Sequence, residues 1–267
     1  MTVVAITGGG RGIGRAIAER LAADGMRVAI GDVDVASART AATEIEGAVG
    51  HHVDVSDAAS FERFIDEVEA SLGPIDILVN NAGIMPIGPF LEHDVALAQR
   101  AVNINLHGPL NGMRAVLPRM KARGGGHIVN VASTAGVRGV PGGVVYSATK
   151  FAVVGMSEAV RQEFAADNVT VTTVLPSFTN TELIAGTKGL KGVPTVEPAD
   201  VANAVANAIA RKHATVFVPG YLEPLAALQR LVPGFVLEFL TKLTGADRVF
   251  LDVDHKGRTS YDKRIAG

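Results

Sequence analysis

The chain alternates short apolar runs with longer amphipathic segments, and that order restricts the fold more than any other feature. Apolar runs of strand length fall at 3–6, 26–30, 48–53, 75–79, 127–131, 169–175 and 215–218. Segments with helical spacing lie between them. One begins at Ile13, another at Asp57, and others cover 94–123, 145–166 and 198–211. Several of the strand-length runs are continuously apolar, as expected of strands covered by helices on both faces. A repeated strand–helix order calls for a parallel sheet with right-handed crossovers. The expectation is a doubly wound α/β domain over residues 1–220. Regular alternation stops near Pro219-Gly220, so residues 221–267 form a separate helical extension.

Composition removes several classes of function. With 267 residues, 48% of them hydrophobic, the chain can bury a large core. A net charge of -2 with both signs interspersed leaves no footprint for nucleic acid. There are no cysteines, which excludes a disulfide framework, a thiolate metal site and a cysteine nucleophile. No histidine pair sits at zinc-ligand spacing in a helix-like run, and the adjacent His51 and His52 point to different sides of any element, so no metal site is expected. No apolar run approaches the roughly 20 residues that span a bilayer. The sequence enters an apolar strand almost at once, without a basic leader, and the expectation is a cytoplasmic protein.

Directly after the first strand stands Thr7-Gly8-Gly9-Gly10-Arg11-Gly12-Ile13-Gly14, with a helix to follow. Glycines at such a turn let backbone approach a diphosphate closely, and the helix N-terminus offers free N–H groups and the positive end of its dipole. The spacing is Gly8-x-x-x-Gly12-x-Gly14, not the strict G-x-G-x-x-G fingerprint. Gly8, Arg11, Gly12 and Ile13 are therefore candidate cofactor contacts. The second strand ends at Asp32, 18 residues after Gly14, where a carboxylate can hold the adenosine ribose hydroxyls and repel a 2′-phosphate. That favours NAD over NADP. Arg11 argues the other way, since a guanidinium in the glycine loop can reach a 2′-phosphate. Asp54, followed by Val55 at the end of the third strand, can accept from an adenine amino group or belong to the N-cap region of the next helix. Asn81 and Gly83, in Asn80-Asn81-Ala82-Gly83, end the fourth strand with amide and small side chains suited to close passage of a ligand.

Tyr146 and Lys150 open a long helical segment, and positions i and i+4 share a helix face. A free tyrosine, with a pKa near 10, is a poor base at neutral pH, and a fixed positive charge beside it favours the phenolate. Ser133 follows the apolar strand 127–131 and lies 13 residues before Tyr146, at a strand end where doubly wound sheets bind ligands. Its hydroxyl can donate to a substrate oxygen or simply shape the turn.

With these residues in hand, the chain resembles the short-chain dehydrogenase/reductase family. The resemblance rests on Thr7 to Gly14, Asp54, Asn80 to Gly83, Asn105 within Asn105-Leu106-His107-Gly108, Ser133, Tyr146 with Lys150, and Pro176 to Thr181. It covers about residues 2–220. It implies a Rossmann-type, seven-stranded parallel sheet of order 3-2-1-4-5-6-7, and a homodimer or homotetramer built on the long helices. It implies Tyr146 as general acid/base, Lys150 as binder of the nicotinamide ribose and depressor of the tyrosine pKa, and Ser133 as orienter of the carbonyl or alcohol. Asn105 would hold a water linking Lys150 to solvent, and Thr181 would bond the nicotinamide carboxamide. Where the family has Pro-Gly after the sixth strand, this chain has Pro176-Ser177, and the added side chain narrows the space there.

The substrate side is less determined. The segment 182–194, with Gly186, Gly189, Gly192 and Lys191 among apolar residues, reads as a lid or as a plain surface loop. In the extension, Leu225, Leu228, Val232, Phe235, Phe239 and Leu243 form an apolar stripe. Pro233-Gly234 divides it into two helices and Gly245 ends it. Glu223, Arg230, Glu238 and Lys242 rule out a membrane span. The stripe can pack on the catalytic domain or another subunit, wall a pocket for a lipophilic alcohol or ketone, or lie on a membrane surface. The polar stretch 252–267 can serve as an arm on a neighbouring subunit. The leading expectation is NAD-dependent oxidation of an apolar alcohol to a ketone or aldehyde. A catalytically silent nucleotide sensor or scaffold is the alternative; retention of Asn105, Ser133, Tyr146 and Lys150 speaks against it.

Overall fold

The structure, a computed structural model, describes residues 1–190, 192–229 and 232–266, the side chain of His255 excepted. Lys191 of the glycine-rich segment and Arg230 of the extension thus lie outside the described residues. The strands are β1 (Val3–Thr7), β2 (Arg27–Asp32), β3 (Val49–His52), β4 (Ile77–Asn80), β5 (Gly126–Val131), β6 (Val169–Pro176) and β7 (Thr215–Val218). They form one sheet of order β3-β2-β1-β4-β5-β6-β7, with every neighbouring pair parallel, as the resemblance implied. The helices are α1 (Gly12–Ala23), α2 (Val35–Thr43), α3 (Ala58–Leu72), α4 (Val95–Val102), α5 (Gly108–Ala122), α6 (Val144–Glu163) and α7 (Pro198–Arg211), followed in the extension by α8 (Leu222–Gln229), α9 (Gly234–Thr244) and α10 (His255–Ala266).

Period-two alternation along the strands explains the two apolar layers. In β1, Val4 and Ile6 pack with Ile17 and Leu21 of α1, Ala38 of α2 and Val205 of α7. Val3 and Ala5 turn to the other face, where Phe61, Phe64, Ile65 and Val68 of α3 meet Met113, Val116 and Met120 of α5. The apolar positions of α3 recur at three- and four-residue steps, Asp57 caps its start by accepting from Ala59 N, and Gly73 at φ +93° ends it. Burial of Gly112 lets α5 approach the sheet, since a Cβ there would stand 2.5 Å from Asn80 Oδ1. A buried polar chain then fixes α6 against the strands. Asn80 Nδ2 donates to Asn130 Oδ1, Asn130 Nδ2 to Ser157 Oγ, and Ser157 Oγ to Val153 O.

Several sequence expectations require correction. Helix α2 was not anticipated; it is built from Ala, Ser and Thr and buries only Ala38 and Ala41, too weak an apolar pattern to read. Strand β4 begins at Ile77, two residues later than its apolar run. The stretch 94–123 is not one regular helix. A π-helical turn at Asn103–His107 separates α4 from α5, where Asn105 turns its side chain onto the backbone of Ile84. The polar stretch from 252 carries α10, which packs on its own chain through Arg258, Tyr261 and Ile265. In the apolar stripe, Leu225, Leu228, Phe235, Phe239 and Leu243 are all about half exposed or more, Phe235 at 74%. The stripe therefore does not bury itself on the domain.

Candidate active site

The C-terminal ends of β1, β2, β4, β5 and β6 open on a single cleft of about 1250 Å³, above the roughly 300–1,000 Å³ of a drug-sized site. One end is built by the glycine turn. Gly8 and Gly12 hold φ of +64° and +55°, a region that disfavours any side chain. A Cβ on Gly8 would meet Ala82 Cα at 2.8 Å, and one on Gly14 would meet Gly8 O at 2.3 Å. The turn is thus closed tightly against the end of β4. Asn81 secures it, donating from Nδ2 to the carbonyls of Thr7 and Gly8 at 3.0 Å each. Helix α1 then starts at the cleft with no side chain capping its N-terminus, which suits an anionic diphosphate. Arg11, Gly12 and Ile13 line the cleft beside it.

Asp32 ends β2 with its carboxylate oriented by two backbone donors. Gly10 N lies 3.1 Å from Oδ2 and Asp34 N 3.1 Å from Oδ1. Arg11 does not face outward as a free cation. Its guanidinium donates to Asp34 Oδ2 at 2.6 Å and to Ser37 Oγ at 2.8 Å. Asp54 accepts from Ser56 N and Ser56 Oγ through Oδ1, so its turn role is real, while the cap of α3 belongs to Asp57. Val55 lines the cleft beside it, and its carbonyl accepts from Asn111. These features fit the adenosine half of a dinucleotide, with a carboxylate for ribose hydroxyls and an uncapped helix for phosphates.

The other half of the cleft holds the reactive side chains. Tyr146 and Lys150 are one helical turn apart on α6 and almost fully buried, at 6% and 5% exposure. Lys150 Nζ donates to Val131 O at 2.8 Å and sits 5.7 Å from the Tyr146 ring centre. Burial pushes the phenol up to about 12, against the effect of a hydrogen bond with Ser133. Burial likewise lowers the Lys150 ammonium to about 8. In the chain by itself burial is the larger effect on the phenol, and the Ser133 hydrogen bond opposes it. Ser133 also caps a short turn, accepting from Ala135 N at 3.1 Å, and donates weakly to Pro176 O at 3.5 Å. It therefore shapes the turn, and its hydroxyl also lies within hydrogen-bond reach of Tyr146.

Asn105 lies 1% exposed in the π-helical turn. Its Oδ1 accepts from Ile84 N and its Nδ2 donates to Ile84 O, both at 2.8 Å, and Nδ2 also reaches Thr149 Oγ1 at 3.2 Å. The side chain thus clamps the loop after β4 to α6. Gly83 allows this approach, since a Cβ there would stand 3.3 Å from Asn105 Oδ1 and 3.7 Å from Lys150 Nζ. Thr181 crosses to the glycine turn, its Cγ2 3.4 Å from where a Gly12 Cβ would be. Every candidate from the sequence therefore bears on this one region. Asn81 and Asn105 do so by holding its backbone.

The sequence motifs do not reveal most of the cleft wall around Tyr146. Met85, Val249 and Phe250 pack in one apolar cluster with Tyr146. Phe178 joins them, its ring centre 5.5 Å from that of Phe250. Tyr261 and Arg264 of α10 also line the cleft. The glycines of the 182–194 segment do take positive φ, yet the segment is tied down, with Arg258 Nη1 donating to Leu183 O and Ala185 O. The fixed spacing of glycine, serine and tyrosine offers nothing to place these residues, which reach the site only through tertiary folding.

Comparison with known proteins agrees with this geometry. An L-2,3-butanediol dehydrogenase of Corynebacterium glutamicum is 38% identical over 186 residues, 67% of this chain and 72% of its own. A D-threitol dehydrogenase of Mycolicibacterium smegmatis is 40% identical over 185 residues, 68% of this chain and 71% of its own. The probable oxidoreductase EphD of Mycobacterium tuberculosis is 39% identical over 191 residues, 70% of this chain, which spans only 32% of that longer relative. Among solved structures, a short chain dehydrogenase/reductase from Burkholderia phymatum in complex with NAD superposes with a TM-score of 0.78 at 26% identity, covering 86% of this chain and 92% of that one. A 3-ketoacyl-(acyl-carrier-protein) reductase from Brucella melitensis complexed with NADH gives 0.75 at 29% identity, covering 81% and 96%. Among the described residues no helix is long and apolar enough to cross a membrane. The pattern of the short chain dehydrogenases matches residues 2–189, and the chain belongs to that family.

Proposed function

We propose that the chain is an NAD-dependent dehydrogenase that interconverts a lipophilic alcohol and its ketone or aldehyde. The observation that carries this reading is the buried Tyr146 and Lys150, one turn apart beside Ser133, facing the glycine turn across one cleft. The dinucleotide, when bound, supplies the hydride acceptor. Asp32 takes the adenosine ribose hydroxyls, and Arg11, engaged by Asp34, is not free to hold a 2′-phosphate. Asp54 and Val55 flank the adenine, while Asn81 keeps the glycine turn closed over the phosphates.

In the oxidation direction the Tyr146 phenolate removes the hydroxyl proton as hydride leaves the carbinol carbon. Ser133 donates to the same oxygen, so that the developing carbonyl is held in one orientation. Lys150 fixes the nicotinamide end and stabilises the phenolate once that oxygen bears charge. Asn105 is a positioning residue, holding the loop after β4 against α6. Residues 221–267 act as a helical extension shaping the substrate end, and assembly into a dimer or tetramer runs through the long helices α5 and α6. Tyr146→Phe tests the reading. Turnover in an alcohol screen with NAD falls at least a thousandfold, while NADH affinity by fluorescence titration stays within a few-fold of the original. Near-normal turnover in that variant refutes Tyr146 as the acid/base.

A further inference from the structure

Beyond Tyr146 the cleft does not close. It continues past Ser177 into a second apolar region, where Ala132, Leu175 and Phe217 at the ends of β5, β6 and β7 pack with Val137 and with Leu222 and Ala226 of α8. Leu222, Ala226 and Leu225 line the same cleft as Tyr146, so the reacting centre and α8 share one continuous space. Helix α9 is held over it by a specific device. Arg138, only a few residues after Ser133, donates to Leu237 O at 3.1 Å and to Thr241 Oγ1, and Thr241 also lines the cleft. Leu225 of that lining is about half exposed, and Phe235, Phe239 and Leu243 of α9 are exposed as well.

A compact polyol matches none of these features. Its hydroxyls would need partners along the wall, and the wall past Ser177 offers mainly aliphatic and aromatic carbon. The lining also reaches Leu225, which is about half exposed, so the space meets solvent there. We infer that the substrate is an alcohol or ketone on a long apolar chain, with its reacting carbon at Tyr146. The chain lies between residues 137–141 and α8 and emerges beside Leu225 under α9. This rests on the proposed dehydrogenase activity and adds the substrate class and the direction in which the substrate lies.

The test is a series of straight-chain 2-alkanols, from 2-butanol to 2-dodecanol, assayed with NAD on the full chain. Each buried methylene contributes about 0.8 kcal/mol, so kcat/KM rises about fourfold per added carbon until the channel is filled. Ala226→Trp plugs the channel away from the catalytic residues. It lowers kcat/KM for 2-dodecanol at least a hundredfold and leaves 2-butanol within twofold. Leu225→Glu, at a half-exposed position that does not endanger folding, places a carboxylate at the exit and gives the same selective loss. Direct binding of a pyrene-tagged dodecanol, read by fluorescence, is weakened by both changes. A flat dependence on chain length, or equal losses for short and long alcohols, overturns the inference while leaving the dehydrogenase reading intact. No turnover of any alcohol, with the tagged dodecanol still bound and still displaced by Ala226→Trp, would instead count against the activity and for the channel.

Discussion

At the scale of single residues, the site places two ionisable groups where neither is comfortable in its charged form. Tyr146 is raised to about 12 and Lys150 lowered to about 8, both by burial. A tyrosine that keeps its proton at neutral pH is set to donate it, which favours carbonyl reduction near pH 7. Oxidation needs the phenolate, so its rate rises with pH up to about 12, while the reduction rate stays level until pH nears that value, as initial rates in both directions would record. Lys150 also carries a cost in stability. Its folded pKa of about 8 lies below its ordinary 10.5, so the fold disfavours the ammonium. The penalty is full below about 8 and fades as pH rises to 10.5, because in that window the unfolded chain binds more protons. The shift corresponds to about 3 kcal/mol, against about 1 kcal/mol for the lost hydrogen bond to Val131 O. Lys150→Met should therefore abolish turnover yet stabilise the cofactor-free protein by about 2 kcal/mol at pH 7. Denaturant titrations should show the gain shrinking as pH rises and turning into a loss of up to about 1 kcal/mol by pH 10.5, where only the missing hydrogen bond still counts. The cofactor preference is likewise a matter of two residues. Asp32→Ser combined with Asp34→Ala removes the carboxylate that opposes a 2′-phosphate and frees Arg11. The NADPH-to-NADH affinity ratio, by fluorescence titration, should rise at least tenfold.

At the scale of elements, α10 decides how the substrate end is closed. Arg258 is 1% exposed and donates to Met85 O, Leu183 O and Ala185 O, with Asp262 on its Nε and the Tyr261 ring 4.5 Å away. Tyr261 in turn accepts from Met85 N through its hydroxyl. The C-terminal helix thus latches the loop after β4 to the segment after β6, on either side of Tyr146. Arg258→Met leaves three carbonyls without their donor. It should cost about 2–4 kcal/mol, expose 182–193 to limited proteolysis and raise the substrate KM at least tenfold, with NADH affinity unchanged. Unaltered proteolysis of that segment in a folded variant would contradict the latch. This is also where the sequence was hardest to read. Strands such as β1 and β4 announce themselves because apolar side chains run continuously along most of their length. Helix α3 does so because its apolar residues keep one face. Helix α10 has no such pattern: of its buried residues Arg258, Tyr261 and Ile265 only the last is aliphatic, and the burial of the first two depends on backbone groups contributed by distant loops. The π-helical turn is illegible for a similar reason. Its cause is the bond between Asn105 and Ile84, 21 residues apart.

At the scale of the whole molecule, stability is distributed unevenly, and the distribution follows function. The doubly wound core buries both faces of its sheet under α1, α2 and α7 on one side and α3, α5 and α6 on the other. Its order was legible because a parallel sheet needs crossover helices and the family motifs fix which strand ends carry them. Helices α8 and α9 contain no fully buried residue, and the apolar side chains of α9 stand largely in solvent. Few buried contacts mean that a segment opens without the rest unfolding. Native-state hydrogen exchange should therefore divide the chain into two classes. Amides of β1, β4 and β5 should exchange only through global unfolding. Those of 234–244 should exchange several kcal/mol below it, with a weaker dependence on denaturant because less surface is exposed. Saturating NADH should slow the first class through added global stability and leave 234–244 unchanged, since the proposed dinucleotide site is at the glycine-turn end of the cleft. A long-chain alcohol should do the reverse, protecting 222–244 in proportion to its length. If NADH alone slowed α9 as much as β1, the two ends of the cleft would form a single cooperative unit, and the extension would be part of the core and not a wall built onto it.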